Sequence, residues 1–229
     1  MRYAKGQALF DNRYDAGRQL AQRLLDYRGR DVAVLAIPNG GVPVGLEIAL
    51  ALEADLDVVI SRKIPLPLNP EAGFGAVADD GTPILSEDIL KDAGFSQHQV
   101  NYQINEVRMQ IRQRSLLYRR DRPLKPLNGK IVIIADDGLA SGYTMMAAVE
   151  SVRRRAPREV VAAIPVTPAA ALERVERVAD KVVTVAIGTM PRFAVADFYR
   201  YWYDLNDDEV VQCLKEFQMR RFRKDMELP

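Results

Sequence analysis

The sequence contains few of the residues on which many enzymes depend. Its 229 residues include one cysteine, Cys213, and one histidine, His98. A single cysteine excludes an internal disulfide and a cysteine-rich zinc site, and it is typical of a reducing compartment, so we expect a cytoplasmic protein. A single histidine argues against a histidine-based catalytic triad and a multi-histidine metal centre. Much ordinary hydrolase chemistry is therefore disfavoured.

Long apolar runs and an excess of charge are also missing. No apolar run approaches the ~18 residues that a membrane-spanning helix needs, and no apolar segment of a secretory signal is present, so we expect no membrane partner. The 32 Lys and Arg residues nearly balance the 31 Asp and Glu residues, for a net charge of +1. A chain of this kind has no overall field for attracting nucleic acid, so any anion must be bound at a local site.

Short apolar runs alternate with helical patterns along most of the chain, in a composition that is 48% hydrophobic and 28% charged. This alternation predicts an α/β fold, with a central parallel sheet flanked by helices. The predicted strands are 32–37, 56–60, 130–135, 160–164 and 181–187. The predicted helices are 15–27, 44–52, 144–155, 168–179 and about 207–224. We predict a single domain over 1–229, with a core at about 14–60 and 129–190.

Residues 61–128 interrupt the alternation and are predicted to form a flap or hood on this core. The segment 61–75 holds three prolines and two glycines without periodicity, which predicts a long and functional loop. The turn-forming sequence Asp-Asp-Gly at 79–81 predicts a hairpin within 76–85. A helix over 96–119 should follow, with an apolar stripe at Val100, Ile104, Val107, Ile111 and Leu116.

The most informative segment is IVIIADDGLASGYTM, residues 131–145. It predicts a strand that ends at an acidic pair, Asp136 and Asp137, followed by a glycine-bounded turn and a helix. Ligands bind at the carboxyl ends of strands in such sheets. Two carboxylates there can accept hydrogen bonds from sugar hydroxyls or contribute to a divalent cation site, and the helix start can bind phosphate. A hydroxylated sugar that carries a phosphate would satisfy both halves.

The same residues do not match other phosphate-binding motifs. Tyr143 follows Gly142 where a P-loop would require lysine, and no GxGxxG pattern follows a predicted strand. Nucleotide hydrolysis and dinucleotide binding therefore lose support. Hydrolysis of a phosphorylated sugar ranks last, because no nucleophile or dedicated base is identified.

This segment resembles the signature of type I phosphoribosyltransferases, which use 5-phosphoribosyl 1-pyrophosphate. That signature has about four apolar residues, two acidic residues and a turn that ends in Thr-Gly-x-Thr. Here Ser141 replaces the first threonine and keeps its hydroxyl. The order of elements also agrees over nearly the full chain. Residues 61–63 and 75–77 further resemble a subgroup of predicted phosphoribosyltransferases whose acceptor is not generally known.

The resemblance implies a role for each part of the site. The acidic pair would hold the ribose hydroxyls and contact Mg²⁺ indirectly, through those hydroxyls or water. The turn 140–144 would hold the 5-phosphate, and the loop 39–41 would bind pyrophosphate through backbone amides. The predicted catalytic residues are Arg62, Lys63, Asp136 and Asp137. The predicted substrate-binding residues are Asn39, Gly40, Gly41, Arg62, Lys63, Asp136, Asp137, Gly138, Leu139, Ala140, Ser141, Gly142, Tyr143 and Thr144.

Two positions depart from related enzymes. Asn39 stands where those enzymes often carry a basic residue, so part of the pyrophosphate charge must be met elsewhere, for which Arg62 is the candidate. Ala140 stands where 6-oxopurine salvage enzymes place an aspartate, which disfavours hypoxanthine or guanine salvage by that mechanism. The alanine looks more like the adenine and xanthine members.

The predicted function is transfer of phosphoribosyl to a nitrogenous, purine-like acceptor in nucleotide salvage, with release of pyrophosphate, by a Mg²⁺-dependent homodimer. The alternative is a sensor that binds the same ligand and regulates through RNA or a protein partner. Basic runs at 119–122, 153–158 and 220–224 invite an RNA interpretation, but they also suit helix ends. The aromatic residues at 198–203 could stack on a base or pack in the core. Arg13 and its acidic neighbours have the pattern of ordinary surface charge.

Overall fold

The computed structural model describes residues 2–3, 8–66, 69–119, 125–190 and 192–226. Within these ranges, six parallel strands form the main sheet: β1 (Arg2–Tyr3), β2 (Val32–Ala36), β3 (Asp55–Val58), β7 (Ile131–Ala135), β8 (Glu159–Pro168) and β9 (Lys181–Gly188). Their order across the sheet is β1-β9-β8-β7-β2-β3. The predicted α/β fold with a central parallel sheet is therefore confirmed.

Helices cover both faces of this sheet. They are α1 (Arg13–Arg23), α2 (Gly41–Leu52), α5 (Tyr143–Arg153), α6 (Ala169–Glu176) and α7 (Asp207–Met226). Alternate strand residues face different layers: Val34 and Ile133 pack with α1, α2 and α7, whereas Leu35 and Ile134 pack with α5 and α6. All five residues of β2 and of β7 are buried, because both faces of these central strands are covered.

The segment 61–128 forms a hood of different architecture. Its described part contains an antiparallel sheet of β4 (Ser61–Leu66), β5 (Asn69–Ala78) and β6 (Pro83–Leu85), followed by α3 (Glu87–Ala93) and α4 (Gln97–Arg119). The prediction of a long loop over 61–75 was wrong, since β4 and β5 pair there. Register shifts on either side of Pro65 accommodate the missing amide, so proline did not prevent strand formation. Pro67 lies outside the described residues.

Several predicted details also require correction. Leu116 is 62% exposed rather than part of the buried stripe of α4, and Tyr118, which is 3% exposed, packs inward instead. The helix predicted over 15–27 begins earlier, at Arg13, because Asn12 caps α1 by accepting the Asp15 amide with its side chain. Asn206 begins α7 in a reciprocal capping arrangement with Glu209, so the acidic run at 207–209 lies inside the first turn.

A buried ionic cluster fixes the hood on the core. Asp79, in the turn after β5, accepts a hydrogen bond from Arg119 at 2.7 Å and another from Ser151 of α5 at 3.2 Å. Arg119 also donates to the carbonyl oxygen of Val58 at 2.6 Å. The Asp79 and Arg119 side chains are 4% and 9% exposed. This cluster therefore holds the end of α4 against β3 and α5.

The helices of the described segments fall short of the length or the hydropathy that a bilayer requires. None of them is both long and apolar enough to cross a membrane.

Candidate active site

Two loops meet at the carboxyl edge of the main sheet. β2 and β7 are adjacent and parallel, with Ala36 opposite Ala135, so the residues after each strand emerge side by side. The loop after β2 leads into α2 at Gly41, and the residues after β7 are the acidic pair. The fold therefore brings the predicted pyrophosphate loop and the predicted ribose-binding residues together.

The acidic pair is held by three defined contacts. Arg13 of α1 donates from Nε to Oδ2 of Asp137 at 2.7 Å, and Tyr199 donates its hydroxyl to the Asp137 carbonyl oxygen at 2.6 Å. The Asp137 amide donates to Oδ1 of Asp136 at 2.8 Å. The Arg13 side chain is only 7% exposed, so it is not the surface charge that the sequence suggested. The two carboxylates are thus positioned differently, and Asp137 is the one that Arg13 pairs with.

Burial dominates the electrostatics of this pair. Loss of water, followed by the charge of Asp137, raises the pKa of Asp136 well above its usual value. Burial also raises the pKa of Asp137, and the guanidinium of Arg13 opposes that shift. Two adjacent, half-buried carboxylates resist being ionised together. Groups that donate hydrogen bonds or supply positive charge would stabilise the ionised pair, and vicinal hydroxyls and a divalent cation both do so.

Gly40 allows the loop after β2 to approach the acidic pair. A Cβ atom on Gly40 would lie 1.8 Å from Oδ2 of Asp137, and one on Gly41 would lie 2.6 Å from the carbonyl oxygen of Ala135. A side chain at Gly40 would therefore displace the carboxylate of Asp137, and one at Gly41 would displace the main chain at Ala135. The Gly41 amide donates to the carbonyl oxygen of Ile37 at 3.1 Å.

The turn after the acidic pair has the geometry of an anion site. Gly142 has a φ of 85°, a left-handed conformation that favours glycine, and it begins α5 without a side-chain cap. No acidic residue lies in the first turn of α5, which contains Tyr143 and Thr144. Ala140 and Ser141 are exposed, whereas Leu139 is buried and anchors the turn. Open amides and the helix dipole here favour a phosphate group.

Asn39 is the centre of a polar cluster that the sequence did not reveal. Its side-chain nitrogen donates to the carbonyl oxygen of Leu205 at 2.7 Å and to Asp207 Oδ1 at 3.1 Å. Its side-chain oxygen accepts from Arg114 at 3.0 Å and lies 3.3 Å from the hydroxyl oxygen of Tyr118. The loop after β2 is therefore tied both to the hood helix α4 and to the start of α7.

Arg62 and Lys63 lie on opposite faces of β4, because successive strand residues alternate. Burial, followed by the nearby charge of Arg114, lowers the pKa of Arg62, while Asp207 and Tyr118 oppose the shift. Arg62 is therefore close enough to the Asn39 cluster for the charges of the cluster to affect it. Lys63 is exposed and shares a face with Ser61, whose hydroxyl donates to the carbonyl oxygen of Thr144 at 2.8 Å. The two predicted catalytic cations thus face different parts of the site.

The aromatic segment 198–203 divides into two groups. Phe198 and Tyr199 are buried in the core, whereas Tyr201 and Tyr203 are 65% and 58% exposed. Trp202 lies against the guanidinium of Arg13, with 3.9 Å between the Arg13 Cζ and the ring centroid. Part of the segment thus supports the acidic pair. A cleft of about 210 Å³ opens beside the exposed tyrosines, between α1 and α7.

Within the described residues, carboxylates neutralise part of the positive charge of the basic runs. Arginines of these runs pair with carboxylates in Arg153–Asp180, Arg154–Asp80, Arg155–Asp79, Arg220–Glu47 and Arg221–Asp55. Positions 120–122 lie outside the described residues. Within the described residues, no group of three or more His, Cys, Asp or Glu side chains is arranged to hold a metal ion.

Sequence reasoning missed Arg13, Arg114, Tyr118 and Asp207 as site residues. Arg114 and Tyr118 belong to a long amphipathic helix, and Arg13 and Asp207 each lie in the first turn of a helix. Each contacts its partner across 75 or more positions of sequence. No local pattern could have indicated these contacts.

Comparison with known proteins identifies the family. The family model described as the phosphoribosyl transferase domain matches residues 6–197. The chain therefore belongs to the phosphoribosyl transferase domain family, as the resemblance of the 131–145 segment implied, and its α/β fold is the one expected for type I members.

Particular relatives are close in sequence and structure. Over 206 residues, the chain is 40% identical to proteins of Mycobacterium tuberculosis strains CDC 1551 and H37Rv, each named "Putative phosphoribosyl transferase". The match covers 90% of this chain and 46% of each relative, so the chain spans about half their length. The crystal structure of TT1426 from Thermus thermophilus matches with a TM-score of 0.74 and 34% identity, over 95% of this chain and 99% of its own.

Proposed function

We propose that this protein transfers the 5-phosphoribosyl group of phosphoribosyl pyrophosphate to a nitrogenous, purine-like acceptor and releases pyrophosphate. The observation that carries the proposal is the acidic pair, Asp136 and Asp137, at the end of β7, followed directly by the open start of α5. Membership of the phosphoribosyl transferase domain family supports the same reaction. In this assignment the carboxylates accept hydrogen bonds from the ribose 2- and 3-hydroxyls, and the turn 140–144 holds the 5-phosphate.

The reaction breaks the bond between the anomeric carbon and pyrophosphate oxygen, and it forms a bond between that carbon and an acceptor nitrogen. The acceptor loses a proton if it carries one on that nitrogen. Positive charge develops on the ribose and negative charge on pyrophosphate. The half-buried carboxylates would face the ribose, while the start of α2 and the guanidinium of Arg62 would supply positive potential on the pyrophosphate side. Fixed groups of opposite sign thus lie where opposite charges develop.

The donor set suits magnesium that arrives with the substrate. Asp136 and Asp137 are oxygen donors at a strand end, and Mg²⁺ typically uses one or two carboxylates together with substrate phosphates. These two residues would contact the ion indirectly, through ribose hydroxyls or water. When bound, the ion would neutralise charge on the pyrophosphate. The protein's own task is to orient the ribose and exclude water, to which the hood residues Arg62 and Lys63 would contribute.

The experiment that tests this proposal is titration calorimetry with phosphoribosyl pyrophosphate and Mg²⁺, followed by pyrophosphate release across a panel of purine, pyrimidine and related acceptors. The double variant Asp136→Asn with Asp137→Asn should bind the donor at least about 100-fold more weakly, because several charge-assisted hydrogen bonds are lost. The control, Asp88→Asn with Asp92→Asn, removes two exposed carboxylates of α3 and should bind as the wild type does.

Each outcome of this experiment has a distinct meaning. Donor binding with turnover on one acceptor supports the enzyme and names its substrate. Binding without turnover on any acceptor favours a ligand sensor. Equal affinity of the wild type and the Asp136→Asn, Asp137→Asn variant would exclude the ribose-binding role of the acidic pair.

A further inference from the structure

The Asn39 cluster contains a carboxylate oxygen that is held as a bound anion would be. Oδ1 of Asp207 accepts a hydrogen bond from the Tyr118 hydroxyl at 2.5 Å and from the Asn39 amide at 3.1 Å, and it pairs with Arg114 at 3.2 Å. These donors come from α4 and from the loop after β2, whereas Asp207 comes from α7. Three donors from two other elements thus converge on one oxygen atom.

Two guanidinium groups lie near this carboxylate. Arg114 pairs with Asp207 directly, and its charge also lowers the pKa of Arg62, a shift that Asp207 opposes. The same loop begins α2, which has no acidic residue in its first turn and no side-chain cap, so its dipole adds positive potential. A half-buried group with excess positive charge is stabilised by a further anion.

The members of the cluster differ in how easily they can move. Tyr118 is 3% exposed and the Arg114 side chain is 24% exposed, and both project from the C-terminal half of the long helix α4. The Asp207 side chain is 35% exposed and lies at the first residue of α7. The Asp207 carboxylate can therefore turn to solvent, where water stabilises its charge. Arg114 and Tyr118 would then present their donors to another anion.

We infer that Arg114 binds the pyrophosphate group, and that Asp207 competes with pyrophosphate for Arg114, Tyr118 and Asn39. The inference rests on the proposed function and assigns two further residues to its leaving-group site. Asn39 carries no charge, but its side-chain oxygen accepts from the guanidinium of Arg114 at 3.0 Å, and Gly40 and Gly41 follow Asn39 in the sequence. The hood thereby supplies a cation at the loop after β2. Movement of Asp207 couples this site to α7.

Calorimetric titration of the full chain with inorganic pyrophosphate and Mg²⁺ tests the inference without requiring an acceptor. Arg114→Gln should weaken binding about 10- to 100-fold, because a charge-assisted hydrogen bond is lost. Asp207→Asn should strengthen binding about threefold or more, because the competing charge is removed. Arg112→Gln, an exposed position two residues away on α4, is the matched control and should leave the affinity unchanged.

A variant that restores charge separates binding from a structural role. Arg114→Lys should recover part of the affinity that Arg114→Gln loses, whereas a residue needed only for packing would not show this dependence on charge. Wild-type affinity in Arg114→Gln, or weaker binding in Asp207→Asn, would overturn the inference. If the wild type binds phosphoribosyl pyrophosphate and Arg114→Gln binds pyrophosphate normally, the inference fails and the proposed function stands. If the wild type binds neither ligand, both fail.

Discussion

The loop after β7 and the hood strand β4 approach the same site, but their positions are determined in different ways. In residues 136–144 the acidic pair, the turn and the start of α5 are consecutive, so a local sequence specifies most of the geometry. At the hood, Arg114 and Asp207 meet at Asn39, where their charges affect Arg62, only because α4 and α7 converge on the loop after β2. A motif can therefore reveal the first half of the site, whereas the second half depends on packing.

The largest loss of stability should come from changing the cluster of Asp79 and Arg119, which joins the hood to the core. Asp79→Asn leaves the buried Arg119 without its closest carboxylate, and breaking such a pair typically costs about 3–5 kcal/mol. Urea unfolding measures this loss. Hydrogen exchange shows whether amides of β4, β5 and α4 lose protection before those of β2 and β7.

The neighbouring Asp80 provides a matched control for that measurement. It pairs with Arg154 at the surface, where the arginine side chain is 48% exposed. Asp80→Asn should therefore cost no more than about 1 kcal/mol. Equal costs for the two variants would show that the Asp79–Arg119 cluster does not hold the hood to the core.

The next largest effect should be a loss of donor affinity caused by a change beside the acidic pair. Gly40→Ala places a Cβ atom where Oδ2 of Asp137 lies, and the carboxylate must move. Displacement of a ligating group by about 1 Å can cost about 100-fold, so we expect affinity for phosphoribosyl pyrophosphate with Mg²⁺ to fall by at least that factor. Calorimetry measures the affinity.

Gly94→Ala is the control for the effect of a glycine substitution on the backbone. Gly94 has a φ of 63° at the end of α3, and a Cβ atom there would meet nothing within 4 Å. This variant should lose about 1 kcal/mol of stability and no affinity. Normal donor binding by Gly40→Ala would show that the contact between the loop and Asp137 is not needed.

The smallest effect should come from a surface pair of the core. Arg153, which donates to Asp180, holds the pKa of Asp180 below its ordinary value of 3.8, and the Val160 amide acts in the same direction. A lowered pKa stabilises the fold above that value, and the stabilisation disappears as the pH falls through the folded pKa. The two side chains are 37% and 42% exposed, so solvent screens the pair. Asp180→Asn should cost at most about 1 kcal/mol at pH 7.

The pH dependence of the stability difference shows whether Asp180 stabilises the fold through its charge. Thermal melts of Asp180→Asn and the wild type should converge once the pH falls below the folded pKa of Asp180, where the side chain at position 180 is uncharged in both proteins. A difference that persists unchanged at that pH would mean that Asp180 acts through its hydrogen-bond geometry and not through its charge.

The parallel α/β core could be predicted from the sequence, because continuous apolar strands and amphipathic helices produce periodic patterns that depend on nearby residues. The position of the acidic pair could be predicted too, since Asp136 and Asp137 directly follow a strand whose partners are parallel. Within the hood, local patterns indicated the hairpin and α4 but not the pairing of β4 with β5. The prolines and glycines of 61–75 are typical of a loop. The pairing of β4 with β5 nevertheless makes this segment a strand, because each strand satisfies backbone hydrogen-bonding groups of the other.

Which charged residues belong to the site depends instead on tertiary packing. Arg13 has the sequence pattern of a surface residue, yet it is buried against Asp137, 124 positions away. Arg114 and Asp207 meet at Asn39 for the same reason: three elements remote in sequence pack at one edge of the sheet. Charge patterns show that a residue can pair, but its partner and its burial depend on how the elements are packed.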